Sequence, residues 1–168
     1  MCGITGFIDL KKQTTESVLI KMRDALVHRG PDAAGSSIFN KQDCTVGIAH
    51  RRLSIIDLSN AADQPYHYEG FSMVFNGEIY NYRELRDTLK DYHYQTSSDT
   101  EVLMAAFIKW GIGCANHIKG MFAFAVWDKQ TKTLTLVRDR VGIKPLYYGF
   151  MNKVWLFGSQ PKSFMPHP

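Results

Sequence analysis

The chain has 168 residues, 45% of them apolar, and a formal net charge of +4, which suits one domain with a substantial core. Its densest basic stretches, His50-Arg51-Arg52 and Arg138-Asp139-Arg140, are too short or too mixed to track a phosphate backbone, which sets nucleic-acid binding aside. Three widely spaced cysteines without a C-x-x-C pair argue against a disulfide framework or zinc knuckle and for a reducing, cytoplasmic setting; the absence of a secretory start or a long apolar run predicts a soluble protein with no membrane partner.

In chain order, the apolar run Cys2 to Leu10 predicts a buried strand beginning at the second residue. An amphipathic helix follows from about Thr15, with Val18, Leu19, Met22, Ala25 and Leu26 on one face and Gly30-Pro31 as its stop. Gly30 to Ser37 reads as a loop. Strands are expected at Thr45 to His50, Leu53 to Asp57 and Phe71 to Phe75, with Asn60 to Tyr66 an irregular connection. Asn81-Tyr82-Arg83-Glu84 and Ser98-Asp99-Thr100-Glu101 both resemble capping boxes and start two helices, the second ended by Gly111. Met121 to Trp127 is apolar on both faces and predicts a central strand. A turn at Asp128 to Lys132 leads to a strand at Thr133 to Val137. Strands at Leu146 to Phe150 and Val154 to Gly158 are joined by Asn152-Lys153. Antiparallel hairpins interleaved with a few amphipathic helices imply an α+β fold, in which two sheets pack on each other and helices cover their outer faces. The ending Pro166-His167-Pro168 suggests a chain cut from a longer protein.

Cysteine at position two, followed by Gly3, is small enough for an aminopeptidase to remove Met1, leaving a free α-amine beside a thiol. An α-amine has a reference pKa of about 7.7–8.0 and a thiol about 8.5, so the amine can take the thiol proton without a histidine. A buried structural cysteine is the alternative reading.

The blocks MCGITGF, HRGPDAAG, HRRLSIIDL, NGEIYNYRELR, SSDTEVL, GMFAFAVWD and RDRVGIKPLYYG run in the order and spacing of class II glutamine amidotransferases, and most closely resemble the glutaminase half of asparagine synthetase. The resemblance spans the chain and implies an N-terminal-nucleophile hydrolase, a four-layer α-β-β-α sandwich of two antiparallel sheets. It implies that Cys2 attacks the side-chain amide of L-glutamine, releases ammonia and forms a glutamyl thioester that water hydrolyses. Asn76 and Gly77 match the family's oxyanion hole, a type of stabilisation in which losing one donor costs about 3 kcal/mol; an Asn-Gly hairpin turn is the alternative. Arg52 matches the residue pairing with the substrate carboxylate, a task suited to the guanidinium fork, and Asp99 with Glu78 matches the group holding the substrate ammonium. For Arg52 a surface or cross-strand ion pair, and for Asp99 a favourable acid at a helix N-terminus, are the alternatives. Leu53 to Ile56, including Ile55 and Ile56, matches a segment that lines the pocket through its backbone.

His28, Arg29 and Asp32 match the family's HRGPD loop, which the resemblance implies packs beside the nucleophile, and are expected to support it. Arg138-Asp139-Arg140 reads as a structural ion-pair network, and Tyr80, Tyr82, Tyr147 and Tyr148 as core or interface aromatics. His50, His67, His93 and His117 show no metal-ligand spacing, so no metal is expected. The chain has no S-G-G-x-D nucleotide loop, so the resemblance implies a C-terminal synthetase domain as partner, with ATP and magnesium required there and no cofactor in this domain; a homodimer stays open. Gln160 stands where the family more often has glutamate. Two rival readings remain: a catalytically silent glutamine-binding or scaffold domain, against which Cys2 argues, and amidation of a carboxylate other than aspartate's. A retained Met1 would leave an inactive precursor.

Overall fold

The computed structural model describes residues 1–53 and 62–168. The expected strand from Leu53 therefore falls outside the described residues from its second position, as do Ile55 and Ile56.

The opening apolar run forms β1 (Gly3–Asp9), beginning one residue after Cys2. It is paired on one side with β3 (Thr45–Arg52) and on the other with β9 (Val154–Gly158). With β2 (Ala33–Asn40) and β8 (Tyr147–Met151) at the edges, the antiparallel order is β2-β3-β1-β9-β8. The second sheet has the order β4-β5-β6-β7, made of β4 (Tyr66–Tyr68), β5 (Phe71–Ile79), β6 (Gly120–Asp128) and β7 (Thr133–Arg138). β6 is paired on both sides, as its two apolar faces require.

The alternation along β6 sets the layers. Ala123 and Ala125, together with Val74 of β5, face the other sheet, where they meet Ile4, Ile48 and Phe157. Phe122, Phe124 and Val126 face the opposite way and pack with α2 (Tyr82–Thr88) and α3 (Asp99–Trp110), through residues such as Leu85, Val102, Leu103 and Ala106. Small side chains thus let the sheets approach, while large ones fill the space under the helices. On the far side, Leu19 and Met22 of α1 (Glu16–Asp24) pack on Phe7, Ala49 and Leu156. The α-β-β-α order expected of the chain is what it adopts.

Several local expectations are corrected. Part of the expected loop Gly30 to Ser37 is the edge strand β2, and the connection before Tyr66 contributes β4 at its end. The first helix stops at Asp24, not Gly30. The next residues continue through i→i−3 bonds, such as Arg29 N–H to Leu26 and Gly30 N–H to Val27. β5 does not stop at Phe75 but runs through Asn76-Gly77 to Ile79, with Asn76 opposite Ala123 and Gly77 opposite Phe122, so this pair is not a hairpin turn. Ser98 caps α3 by accepting from Glu101 N–H, and Gly111, at φ +56°, ends that helix as expected. Asn81 does not cap α2; its side chain bonds the His117 carbonyl and the Lys119 N–H. Among the described residues no helix is long and apolar enough to cross a membrane.

Candidate active site

Cys2 precedes β1 and is half-buried. Extending the register Gly3↔Arg51 by one step sets Arg52, at the end of β3, beside it. The Cys2 Sγ accepts a hydrogen bond from Leu53 N–H at 3.4 Å and lies 3.6 Å from the Leu53 carbonyl. Burial pushes the Cys2 thiol pKa up; the Leu53 bond, the chain's amino terminus and Arg52 pull it down, and Asp99 adds to the rise. Arg29 Nε donates to the Cys2 carbonyl at 2.9 Å, the placement beside the nucleophile expected of it, while Asp32 is tied through its backbone N–H to the Arg52 carbonyl at 3.0 Å. His28 lies elsewhere, bonded to Gln160 at 3.0 Å beside Lys162.

Cys2 and Arg52 face the end of β5 across a cleft of about 170 Å³, lined also by Gln64, Phe75, Asn76, Gly77, Glu78, Asp99 and Lys144. Asn76 is 1% exposed, and its side-chain Nδ2 has no hydrogen-bond partner among the described residues. The N–H groups of β5 alternate in direction. Phe75 N–H bonds Gln64 Oε1 at 2.6 Å and Ile79 N–H bonds Asp99 Oδ2 at 3.1 Å. Alternation sends the Gly77 N–H, midway between them, to the same edge. A Cβ on Gly77 would lie 2.4 Å from the Met121 carbonyl oxygen and 2.5 Å from the Phe75 ring, so only glycine fits. Two donors, the Asn76 amide and the Gly77 N–H, thus stand at the cleft.

Asp99 sits at the start of α3, 7% exposed, and its pKa is pushed up to about 6 by burial, against its bond from Ile79 N–H and with the nearby Glu78 charge adding to the rise. The cleft therefore carries a cation on the β3 side and two carboxylates on the β5–α3 side. Arg52 Nη1 is ion-paired at 2.6 Å to Asp63, whose side chain is 41% exposed, so the ion pair that was the alternative reading of Arg52 is formed, at the surface end of this cleft residue. Every described residue put forward from the sequence for this site, Cys2, Arg52, Asn76, Gly77, Glu78 and Asp99, lines the one cleft.

Sequence reasoning missed Gln64 and Lys144. Gln64 gives no periodic signal, yet its buried amide bridges Phe75 N–H and Thr100 Oγ1. Lys144 is buried, with Nζ 3.5 Å from Met1 Sδ; a lone charge in the apolar run Val141 to Tyr148 was the available signal. Among the described residues the Arg138-Asp139-Arg140 cluster forms no ion pair. Arg138 donates to the Lys144 and Gly142 carbonyls, Arg140 to the Ala115 carbonyl, and Asp139 accepts from Phe122, Ile143 and Lys144 N–H groups. Tyr80, Tyr147 and Tyr148 are exposed rather than in the core. Among the described residues no group of three histidine, cysteine or acidic side chains could hold a metal ion.

The sequence is 38% identical over 176 residues to asparagine synthetase (glutamine-hydrolyzing) 3 of Bacillus subtilis, covering all of this chain and 28% of that protein. It is 44% identical to asparagine synthetase (glutamine-hydrolyzing) 2 of the same organism, covering all of this chain and 23% of the other, and 37% identical to amidase chry2 of Gibberella zeae, covering 98% and 26%. The chain thus spans about a quarter of these curated relatives. Among solved structures, the glutamine phosphoribosylpyrophosphate amidotransferase of B. subtilis complexed with ADP and GMP superposes with a TM-score of 0.81 at 20% identity, over 98% of this chain and 43% of that one, and so shares the fold. Since the profile of the glutamine amidotransferase domain matches residues 1–168 in full, the chain belongs to that family.

Proposed function

We propose that this domain hydrolyses L-glutamine to glutamate and ammonia through a glutamyl thioester on Cys2. The observation that carries the reading is the cleft in which Cys2 meets an amide donor unpartnered among the described residues, a guanidinium and a pair of carboxylates held on the opposite wall. A free amino acid presents one carboxylate and one ammonium at fixed separation. Arg52 suits the first, and Asp99 with Glu78 the second.

The chemistry needs only groups of this chain and water. With Met1 removed, the α-amine of Cys2 takes the thiol proton, which the buried thiol does not give up readily by itself. Sγ adds to the amide carbon, and the oxygen that gains the electron pair is met by the Asn76 amide and the Gly77 N–H. The carbon–nitrogen bond then breaks, the α-ammonium protonates the leaving nitrogen, and ammonia departs. Water adds to the thioester by the same route, regenerating the thiol and leaving glutamate. Met1 lines the cleft, so its removal both frees the base and opens space.

The ammonia is destined for a C-terminal synthetase domain in the full-length protein, where ATP and magnesium would activate the acceptor carboxylate; the setting is the cytoplasm. The curated relatives that extend well beyond the matched region support this. The acceptor is aspartate or another carboxylate, because the cleft reads only the glutamine.

The test is intact mass after incubation with 6-diazo-5-oxo-L-norleucine, a glutamine-like electrophile. A chain lacking Met1 with one adduct, mapped to Cys2, is expected. A processed chain that stays unlabelled would sink the proposal in favour of a silent glutamine-binding domain. Cys44 and Cys114 serve as internal controls: burial pushes up both thiols, that of Cys114 to about 11, and neither lines the cleft.

A further inference from the structure

The geometry points to Asp63 as a positioning residue for glutamine, acting by holding Arg52 in the orientation that receives the substrate carboxylate. This rests on the proposed role of Arg52. Three observations carry it.

First, the Arg52–Asp63 pair is short, 2.6 Å between Nη1 and Oδ1, and asymmetric: the arginine side chain is 9% exposed and the aspartate 41%. Arg52 lines the cleft and Asp63 does not. The carboxylate therefore approaches the guanidinium from outside the cleft, as a brace would. Second, Asp63 does not hang on a free loop. The next residue, Gln64, accepts from Phe75 N–H at 2.6 Å and donates to Thr100 Oγ1 at 3.1 Å. Its carbonyl backs onto β2, where a Cβ on Gly35 would lie 2.0 Å from the oxygen. Third, the elements tied by Gln64 are those bearing the remaining substrate groups, since Phe75 precedes Asn76 and Thr100 follows Asp99.

The Asp63-Gln64 step thus links Arg52 to the strand bearing the donors and to the helix start bearing Asp99. A long, flexible arginine side chain gains most from such fixing, because its rotamer freedom is otherwise lost when substrate binds. An ordinary surface ion pair contributes little; here one partner is buried and the other is anchored through its neighbour.

The test is the kinetics of glutamine hydrolysis by the purified protein carrying Asp63→Ala, Asp63→Glu or Arg52→Ala, and Asp63→Ala combined with Arg52→Ala. Asp63→Ala is expected to raise KM about fivefold, a size typical of coupled neighbours, with kcat changed less than about twofold. Asp63→Glu, which keeps the carboxylate, should recover part of the affinity, and Asp63→Ala should add nothing once Arg52 is gone. A merely structural role would lower Tm without this split. An Asp63→Ala protein with unchanged KM overturns the proposal, and one with lowered KM overturns it by making Asp63 a competitor for Arg52. If Arg52→Ala raises KM while Asp63→Ala does not, only the brace fails; if Arg52→Ala leaves KM unchanged, the carboxylate role of Arg52 fails and the brace with it.

Discussion

The two sheets bring opposite halves of the proposed chemistry to the cleft. The five-stranded sheet supplies Cys2, just before β1, and the positively charged Arg52 at the end of β3. The four-stranded sheet and its covering helix supply the donors Asn76 and Gly77 and the anions Glu78 and Asp99. Neither sheet carries a complete site. Function therefore depends on how the sheets are seated on each other, which the small faces of Ala123 and Ala125 and the ring of Phe157 determine. The difference also separates the roles to be tested: loss on the first sheet should remove the nucleophile or the carboxylate grip, and loss on the second should weaken stabilisation of developing charge or the ammonium grip.

The largest expected effect is that of Cys2→Ala. Ammonia release should fall to background with Tm nearly unchanged, because the side chain is half-buried and contributes little packing. Retained turnover would remove Cys2 from the chemistry and dissolve the division between the sheets. Next comes the seam. Phe157 is 1% exposed and packs over Gly6, where a Cβ would lie 2.4 Å from its ring. Phe157→Ala should cost about 3–5 kcal/mol of stability through the cavity it leaves, measurable by denaturant unfolding. It should also reduce kcat/KM although it touches no proposed substrate group. Full activity in a destabilised variant would show that the sheets need no close seating. Asn76→Ala should cost about 3 kcal/mol of transition-state stabilisation, roughly a hundredfold or more in kcat, with a smaller change in KM. A change confined to KM would make Asn76 a binding residue.

The sequence made most of the cleft's candidate residues legible because they lie in short, contiguous blocks: Cys2 next to Met1, Arg52 in HRRL, Asn76-Gly77-Glu78 in one strand and Asp99 behind a helix cap. Register was harder. Asn-Gly favours a tight turn in isolation, yet β6 opposite continues the ladder past it, so tertiary pairing overrides the local preference. Ala33 to Asn40 is rich in small polar residues and only partly buried, which resembles a loop; it is a strand because β3 offers it an edge. The contribution of Asp63 and Gln64 was not visible, because it lies in which distant groups they join, and neither a period nor a local pattern encodes that. Asn81 misled for a related reason: its amide is taken by His117 and Lys119, far along the chain.

The smallest effect, and the one that sharpens the comparison most, concerns the anion of the second sheet. Asp99 is pushed up to about 6 by burial, so below that pH its carboxylate takes up a proton and loses its attraction for an ammonium. The charges of glutamine itself do not change between about pH 5 and 8. Affinity for glutamine, measured by calorimetry on Cys2→Ala so that no turnover occurs, should hold near neutral pH and fall about tenfold per unit below about pH 6, equivalent to about 1.4 kcal/mol per unit. Asp99→Asn should bind weakly throughout and lack this limb. Stability should move the opposite way. The folded carboxyl holds its proton more tightly than the unfolded one, so the protein loses stability as pH rises from about 4 through 6, and Asp99→Asn should flatten that slope. A pH-independent affinity would leave the ammonium to Glu78 alone, whereas a limb that survives in Asp99→Asn would assign the titration to another group in the cleft.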